Sequence, residues 1–259
     1  MFFDFFKKKE PYASRTEEHC VEEYNDVFLV ANYFKNETGV TFDKHTSILK
    51  NKLITFCRQR NICSFGKLLE KVSFDKTLRQ ELIDALTTNE TFFYREFRQI
   101  EEIVTLVKNS GERAEILCAP CATGEEPYSV AIALLEAGVA PSRFHILGID
   151  INQDAIDKAK EARYKERNIK NLSQTILQRY FRQEDSVYIL HESIKSQVSL
   201  KVFNLFDSAF KGIGKFDFIL SRNMLIYFDK ETKLKAREIL ESLRTNPKQE
   251  IFFGHADLF

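Results

Sequence analysis

Apolar positions recur every three to four residues through the first third of the chain. "VEEYNDVFLVANYFKNETG" carries them at helical spacing and stops at Gly39. "TFDKHTSILKNKLITFCRQRN" repeats the pattern with Ile48, Leu49, Leu53, Ile54 and Phe56, and "SFGKLLEKVS" and "DKTLRQELIDALTT" follow as short amphipathic helices. No strong strand candidate occurs before about residue 114. From there the period changes. "AEILCAP" and "RFHILGID" are short apolar runs flanking the helical pattern "PYSVAIALLEAG". Strand, helix, strand is a βαβ unit, which implies parallel strands with helices on both faces. "NQDAIDKAKEARY" predicts the next helix, "VSLKVFN" and "FDFILS" two more strands, "DKETKLKAREILESL" a helix, and "EIFFGHA" a last strand.

One region interrupts the alternation. "LQRYFRQEDSVYILHESIKSQVSLKVF" has β-type residues on both sides of polar turns and predicts a small antiparallel excursion at about residues 178–198. The expected division is a tail at 1–20, a helical domain at 21–90 and an α/β domain at 91–259. The start, "MFFDFFKKKE", is apolar and then basic. That is the wrong order for a secretion signal, so a tail or a docked apolar anchor is expected.

Composition narrows the function classes. At 259 residues the chain can bury one large core, or a core plus a small second domain. Lys and Arg number 38 and Asp and Glu 38, so the net charge is zero. A protein that coats nucleic acid needs a basic surface. No run approaches a membrane span, and a cytoplasmic protein is expected. The five cysteines, Cys20, Cys57, Cys63, Cys118 and Cys121, are scattered, and reduced thiols are the expectation.

Cys118 and Cys121 form a Cys-x-x-Cys pair inside "LCAPCATGEEPYS". A structural zinc site needs four ligands, and no second pair exists, so no metal is expected. A redox pair opens a helix, whereas Cys118 belongs to the apolar strand; inert buried thiols are expected. The stretch sits at the carboxyl end of the first strand of a βαβ unit, where open α/β sheets bind ligands. It has one glycine, Gly124, which would let backbone approach a ligand closely. Glu125 and Glu126 occupy the helix start, where they complement the dipole and repel phosphate. A ligand with a cationic or hydroxyl-bearing group and no phosphate fits, and adenosylmethionine is such a molecule.

Polar residues end the successive strands. Asp150 ends the second, placed either to accept ribose hydroxyls or to cap the following helix. Asn204 ends the third, and Ser221, Arg222 and Asn223 the fourth. "TTNETFFYRE" lies where the helical and sheet regions meet. Thr87 and Glu90 have capping-box spacing, and Arg95 among the aromatics is unusual unless it reaches a carboxylate.

"TTNETFFYRE", "CATGEEPYSVAIAL", "GIDIN", "FNLFD" and "FDFILSRNMLIYFDKET", in that order, resemble the bacterial chemotaxis receptor methyltransferases, the CheR family. The resemblance implies a class I SAM-dependent methyltransferase (Rossmann-like) sheet domain preceded by a small all-α domain, with a small antiparallel β-subdomain insertion. It implies S-adenosylmethionine as methyl donor, S-adenosylhomocysteine as product, and chemoreceptor glutamates as acceptors. By motif, Asn89, Thr91 and Arg95 would line the cofactor site, Glu126 would sit in the first loop, and Asp150 would hold the ribose. Asn204 and Leu205 would flank the adenine, and Arg222 and Asn223 would close the site. Arg95 and Tyr227 are the expected catalytic residues. The family's helical domain is thought to meet the receptor; Lys44, Lys50, Lys52, Arg58 and Arg60 lie there without forming one stripe. In some members the β-subdomain binds a receptor pentapeptide through a glycine-containing loop. "FRQEDSVYILHES" is shorter and has no glycine, so pentapeptide independence is expected. The family commonly continues with a further strand pair, which would leave the "IFFG" strand at an edge. A nucleic-acid methyltransferase, or a SAM-binding docking scaffold without turnover, are the alternatives.

Overall fold

The computed structural model describes residues 22–42 and 46–257. The apolar start "MFFDFF", Cys20 and Lys44 lie outside the described residues. Four helices come first: α1 (Val27–Thr38), α2 (Thr46–Arg58), α3 (Phe65–Phe74) and α4 (Lys76–Leu86). Gly39 closes α1 in the left-handed conformation. Ser64 caps α3 by accepting from the Lys67 N–H at 3.1 Å, and Asp75 caps α4 by accepting from Leu78 at 3.0 Å. Their apolar stripes, including Val30, Phe34, Leu53, Phe56, Leu68 and Leu82, bury one another in a core of their own.

A helix that the pattern reading left out follows, α5 (Phe97–Ser110), burying Ile100, Ile103 and Val107. Then come β1 (Ala114–Cys118), α6 (Glu125–Glu136), β2 (Phe144–Asp150) and α7 (Gln153–Glu161). The excursion holds β3 (Arg163–Lys165), the single turn α8 (Glu166–Ile169), α9 (Gln174–Tyr180), β4 (Phe181–Glu184), β5 (Val187–Leu190) and the turn α10 (Glu192–Lys195). The chain returns through β6 (Val198–Val202), β7 (Phe218–Ser221), α11 (Lys230–Ser242) and β8 (Phe252–Phe253).

The main sheet has order β6-β2-β1-β7-β8 and is parallel at every pairing. Alternate residues of its central strands bury into opposite layers. Ile116, Cys118 and Ile146 meet Ile100, Val130 and Leu134, while Leu117, Leu147 and Ile149 meet Ile219 and Leu240. With both faces covered, the strands read as apolar runs, and the polar residues collect at their carboxyl ends. β6 and β8 are the edge strands of the described sheet.

The separate antiparallel sheet has order β3-β5-β4. It draws its first strand from residues 163–165, upstream of the expected 178–198 window, and Val198 belongs to the main sheet instead. Three residues were too few to register as a strand beside the helix that precedes them. Cys57, Cys118 and Cys121 are free and buried, whereas Cys63 is disulfide-bonded, against the expectation of reduced thiols throughout. No helix among the described residues is long and apolar enough to cross a membrane.

Candidate functional site

A cavity of about 510 Å³ opens above the carboxyl ends of β1, β2, β6 and β7, a size suited to a small-molecule ligand. Asn89, Thr91, Arg95, Glu126, Asp150, Asn204, Leu205, Arg222, Asn223 and Tyr227 all line it. The sheet supplies its floor. Thr38, Val40, Phe42, Ile48, Leu49 and Lys52 of the helical region supply a wall.

That wall is stitched to the sheet. The Thr41 N–H donates to the Tyr227 carbonyl at 2.9 Å, and Val40 bridges Phe228. Asn204 Nδ2 donates to the Glu37 carbonyl at 2.6 Å, while its Oδ1 accepts from the Phe206 N–H at 3.0 Å. A Cβ on Gly39 would come within 2.4 Å of the Phe206 ring. Gly39 therefore serves both the left-handed helix end and the close approach of α1 to the sheet.

At the end of β2, Asn152 caps α7 by accepting from the Ala155 N–H at 2.7 Å. The helix cap therefore falls to Asn152 and not to Asp150. Its Oδ2 accepts from the Ala122 N–H at 2.8 Å and its Oδ1 from the Asn152 N–H at 2.9 Å. Burial pushes its carboxyl up to about 6, against the pull of these backbone donors. Asn152 Nδ2 also donates to Thr87 Oγ1 at 2.7 Å and to the Asp84 carbonyl at 3.2 Å, tying the strand end to α4. Thr87 closes α4, so its capping-box spacing to Glu90 marks no helix start.

The first loop corrects one expectation. Gly124 has φ +91°, and a Cβ there would lie 2.9 Å from Ala159 Cβ and 2.9 Å from the Tyr128 ring. It serves backbone conformation and the packing of α6 on α7 rather than ligand approach. Glu125 points away from the cavity and accepts from Thr123 Oγ1 and Asn168 Nδ2, both at 2.7 Å. Glu126 lines the cavity and pairs with Arg222 in a buried ion pair, while its Oε1 is buried without an oxygen or nitrogen hydrogen-bond donor among the described residues. The Arg222 Nη1 donates onward to the Arg95 carbonyl at 2.7 Å and the Glu96 carbonyl at 3.4 Å. Burial would lower the Arg222 guanidinium, but the Glu126 carboxylate more than offsets it and holds it above the usual range. Burial pushes the Cys118 and Cys121 thiols well above their ordinary value, so neither is a poised thiolate.

Arg95 and Tyr227 flank the mouth. Arg95 Nη1 donates to the Glu90 carbonyl at 3.1 Å. Burial raises the Tyr227 phenol, with the nearby Arg95 charge opposing it. The backbone here is strained: Tyr94, Glu96, Ala122 and Asn223 are non-glycine residues at φ +45° to +60°. Such conformations persist where surrounding structure over-determines them, typically at functional sites. For Asn223 the restraint is Asp257, a residue the sequence did not flag. Its carboxylate is 1% exposed and accepts from the N–H groups of Asn223, Ile226 and Gly254. Its only sequence signal was an acid following an apolar strand. The helical wall had none, because cavity-lining and core positions share one amphipathic pattern.

Among the described residues no group of three or more His, Cys, Asp or Glu is placed to hold a metal. The basic residues of the helical region are partly neutralised, Arg58 by Glu22 and Arg60 by Glu81, each at 2.7 Å.

Comparison with known proteins places this geometry. Residues 89–259 match the family described as CheR methyltransferase, SAM binding domain. A chemotaxis protein methyltransferase of Campylobacter jejuni (strain 81-176) is 38% identical over 91% of this chain and 88% of that protein. One from Salmonella typhimurium is 31% identical over 85% of this chain and 78% of that protein. Among solved structures, magnesium protoporphyrin IX methyltransferase from Synechocystis PCC 6803 with bound SAM is 13% identical. That likeness covers 91% of this chain and 83% of the other at a TM-score of 0.34. Polar groups at four parallel strand ends, a buried acid after β1 and the match over 89–259 converge: the chain belongs to the CheR methyltransferase family, with a class I SAM-dependent methyltransferase fold.

Proposed function

We propose that the protein transfers a methyl group from S-adenosylmethionine to glutamate side chains of chemoreceptors, forming glutamyl methyl esters in the cytoplasm. The observation that carries the cofactor assignment to these residues is Glu126 Oε1, buried at the cavity wall beside the Cys118 thiol, with no oxygen or nitrogen hydrogen-bond donor among the described residues. A buried carboxylate oxygen left so is costly, and an amino acid's ammonium is the donor that would satisfy it. Asp150 spends one hydrogen bond per oxygen on backbone and keeps acceptor capacity for two ribose hydroxyls. Leu205 and Asn204 form the wall on the adenine side, the Asn204 amide being fixed by α1. Asn89 and Thr91 line the cavity with side chains that make no hydrogen bond within the described residues, and so are available to a ligand.

S-adenosylmethionine, when bound, supplies a methyl group on a sulfonium that is open to displacement. A glutamate acceptor has an ordinary pKa of about 4.3 and is already ionised at neutral pH, so no general base is needed. The protein's task is alignment and exclusion of water. Arg95 orients the incoming carboxylate at the mouth. Tyr227 keeps its proton at neutral pH and donates a hydrogen bond beside the reacting groups. Arg222 holds Glu126 on one side and the Arg95 backbone on the other, so that the two ends of the site keep one spacing. Asn223, bent by Asp257, closes the floor.

Receptor recognition is assigned to the helical region and the cavity mouth. The hairpin joining β4 and β5 turns through Asp185 and Ser186 alone, with Glu184 facing Val187. This leaves no loop for a receptor tail, and we infer pentapeptide independence. Zero net charge disfavours a nucleic-acid substrate. The test is incubation with methyl-labelled S-adenosylmethionine and receptor-containing membranes, followed by mild alkali. Release of volatile methanol supports ester formation; alkali-stable label refutes it.

A further inference from the structure

The segment before α5 places an aromatic ring between two cations. The Arg95 guanidinium lies 5.6 Å from the centre of the Phe92 ring, and Lys170 Nζ lies 4.1 Å from the same centre. Both are within cation–π range. Lys170 is exposed, Arg95 lines the cavity, and neither forms an ion pair among the described residues.

The arrangement is built by two elements far apart in sequence. The Phe93 N–H donates to the Asn168 carbonyl at 2.8 Å, and Asn171 Nδ2 reaches the Tyr94 carbonyl at 3.5 Å. Asn168 Nδ2 in turn donates to the buried Glu125 at 2.7 Å. Lys170 is thus carried on a turn, just after α8, that is bonded on either side to the segment bearing Arg95. The ring edges of Tyr164 and Phe181, from the antiparallel sheet, pack on neighbouring Phe93 at 4.8 and 5.3 Å between centres. The small sheet is therefore mortised into the segment that carries the acceptor-facing arginine.

Two cations held on one ring repel each other and are favoured by an anion brought near both. We propose that Lys170 is a specificity-determining residue that draws acidic acceptor surfaces to the cavity mouth, and that Phe92, whose ring both cations contact, is the positioning residue for Arg95 and Lys170. The inference rests on the carboxyl-methyl transfer proposed above. It assigns to the antiparallel excursion a part in acceptor selection through its turn at Lys170.

The test is steady-state methylation of receptor membranes by the full chain, with S-adenosylhomocysteine affinity measured alongside by calorimetry. Lys170→Gln is expected to raise KM for receptor about 3- to 10-fold at low ionic strength, converging on the native value at about 0.5 M salt. Lys108→Gln, a charge removed from the last turn of α5, serves as the control. Phe92→Leu is expected to lower kcat about tenfold or more, with product affinity and thermal stability near native, and Phe92→Tyr, which keeps the ring, to restore it. Loss of product binding or stability in Phe92→Leu leaves Lys170→Gln to decide. If the native chain esterifies receptor and Lys170→Gln matches it at all salt concentrations, this inference falls and the proposed function stands. If the native chain forms no base-labile product, the proposed function itself falls.

Discussion

Replacing Arg222 by Met tests the interior of the site most severely. The Arg222 and Glu126 side chains are 2% and 8% exposed, so solvent cannot screen their attraction or rehydrate a survivor. Met keeps much of the volume and removes the charge, leaving a buried carboxylate with no cation and the carbonyls of Arg95 and Glu96 without their donor. Breaking such a pair on one side costs about 3–5 kcal/mol. At about 2–4 °C per kcal/mol for a chain of this size, the unfolding midpoint should fall by roughly 6–20 °C. The assay is thermal unfolding followed by circular dichroism at pH 7, on Arg222→Met, Glu126→Gln and the double variant. The double variant should lose less than the sum of the singles by about 1 kcal/mol or more, because the orphaned charge is gone. A single variant melting within 2 °C of native, or strict additivity, would refute the claim that this pair braces the site.

Other outcomes follow from the same geometry. Asp150, raised by burial to about 6, should leave S-adenosylhomocysteine binding strong above pH 7 and weaken it about tenfold between pH 7 and pH 5 as its ionised fraction falls; Asp150→Asn should abolish that pH step. In stability the sign is opposite. The folded carboxyl holds its proton more tightly than the unfolded one at about 3.9, so its contribution of about 3 kcal/mol is present below that pH and is lost as pH rises through about 6. Arg95→Ala should lower turnover about 100-fold while reducing S-adenosylhomocysteine affinity far less; equal loss of both would make it a cofactor ligand only. Gly124→Ala should cost about 1–3 kcal/mol in urea unfolding, since an alanine there is strained at φ +91° and strikes Ala159 and Tyr128.

The strands of the main sheet were legible because burial on both faces turns each into an apolar run, and the polar residues after them marked the ligand side. α5 was missed although Ile100, Ile103 and Val107 have helical spacing, because the eye follows "TTNETFFYRE" into it and no capping residue announces a start; Glu96 opens it in a left-handed conformation instead. Asp150 could be placed at a strand end but not given a job, since the choice depended on whether Asn152 took the cap. The places of Asp257 and the α1–α2 wall at the site could not be read from the sequence for a common reason. Their roles are fixed by contacts across more than 30 residues of sequence, as between Asp257 and Asn223 or Asn204 and Glu37. The motif match supplied the ten candidate residues; only the packed structure shows that Arg222 and Asn204 also donate to the Arg95 and Glu37 carbonyls.

The central claim is that one cavity above β1, β2, β6 and β7 holds the nucleoside, between Asp150 and Glu126. A crystal structure of the chain grown with S-adenosylhomocysteine tests it most directly. The expected density places the ribose hydroxyls on the Asp150 carboxylate and the amino group on Glu126 Oε1. A nucleoside seated anywhere else on the chain would contradict it.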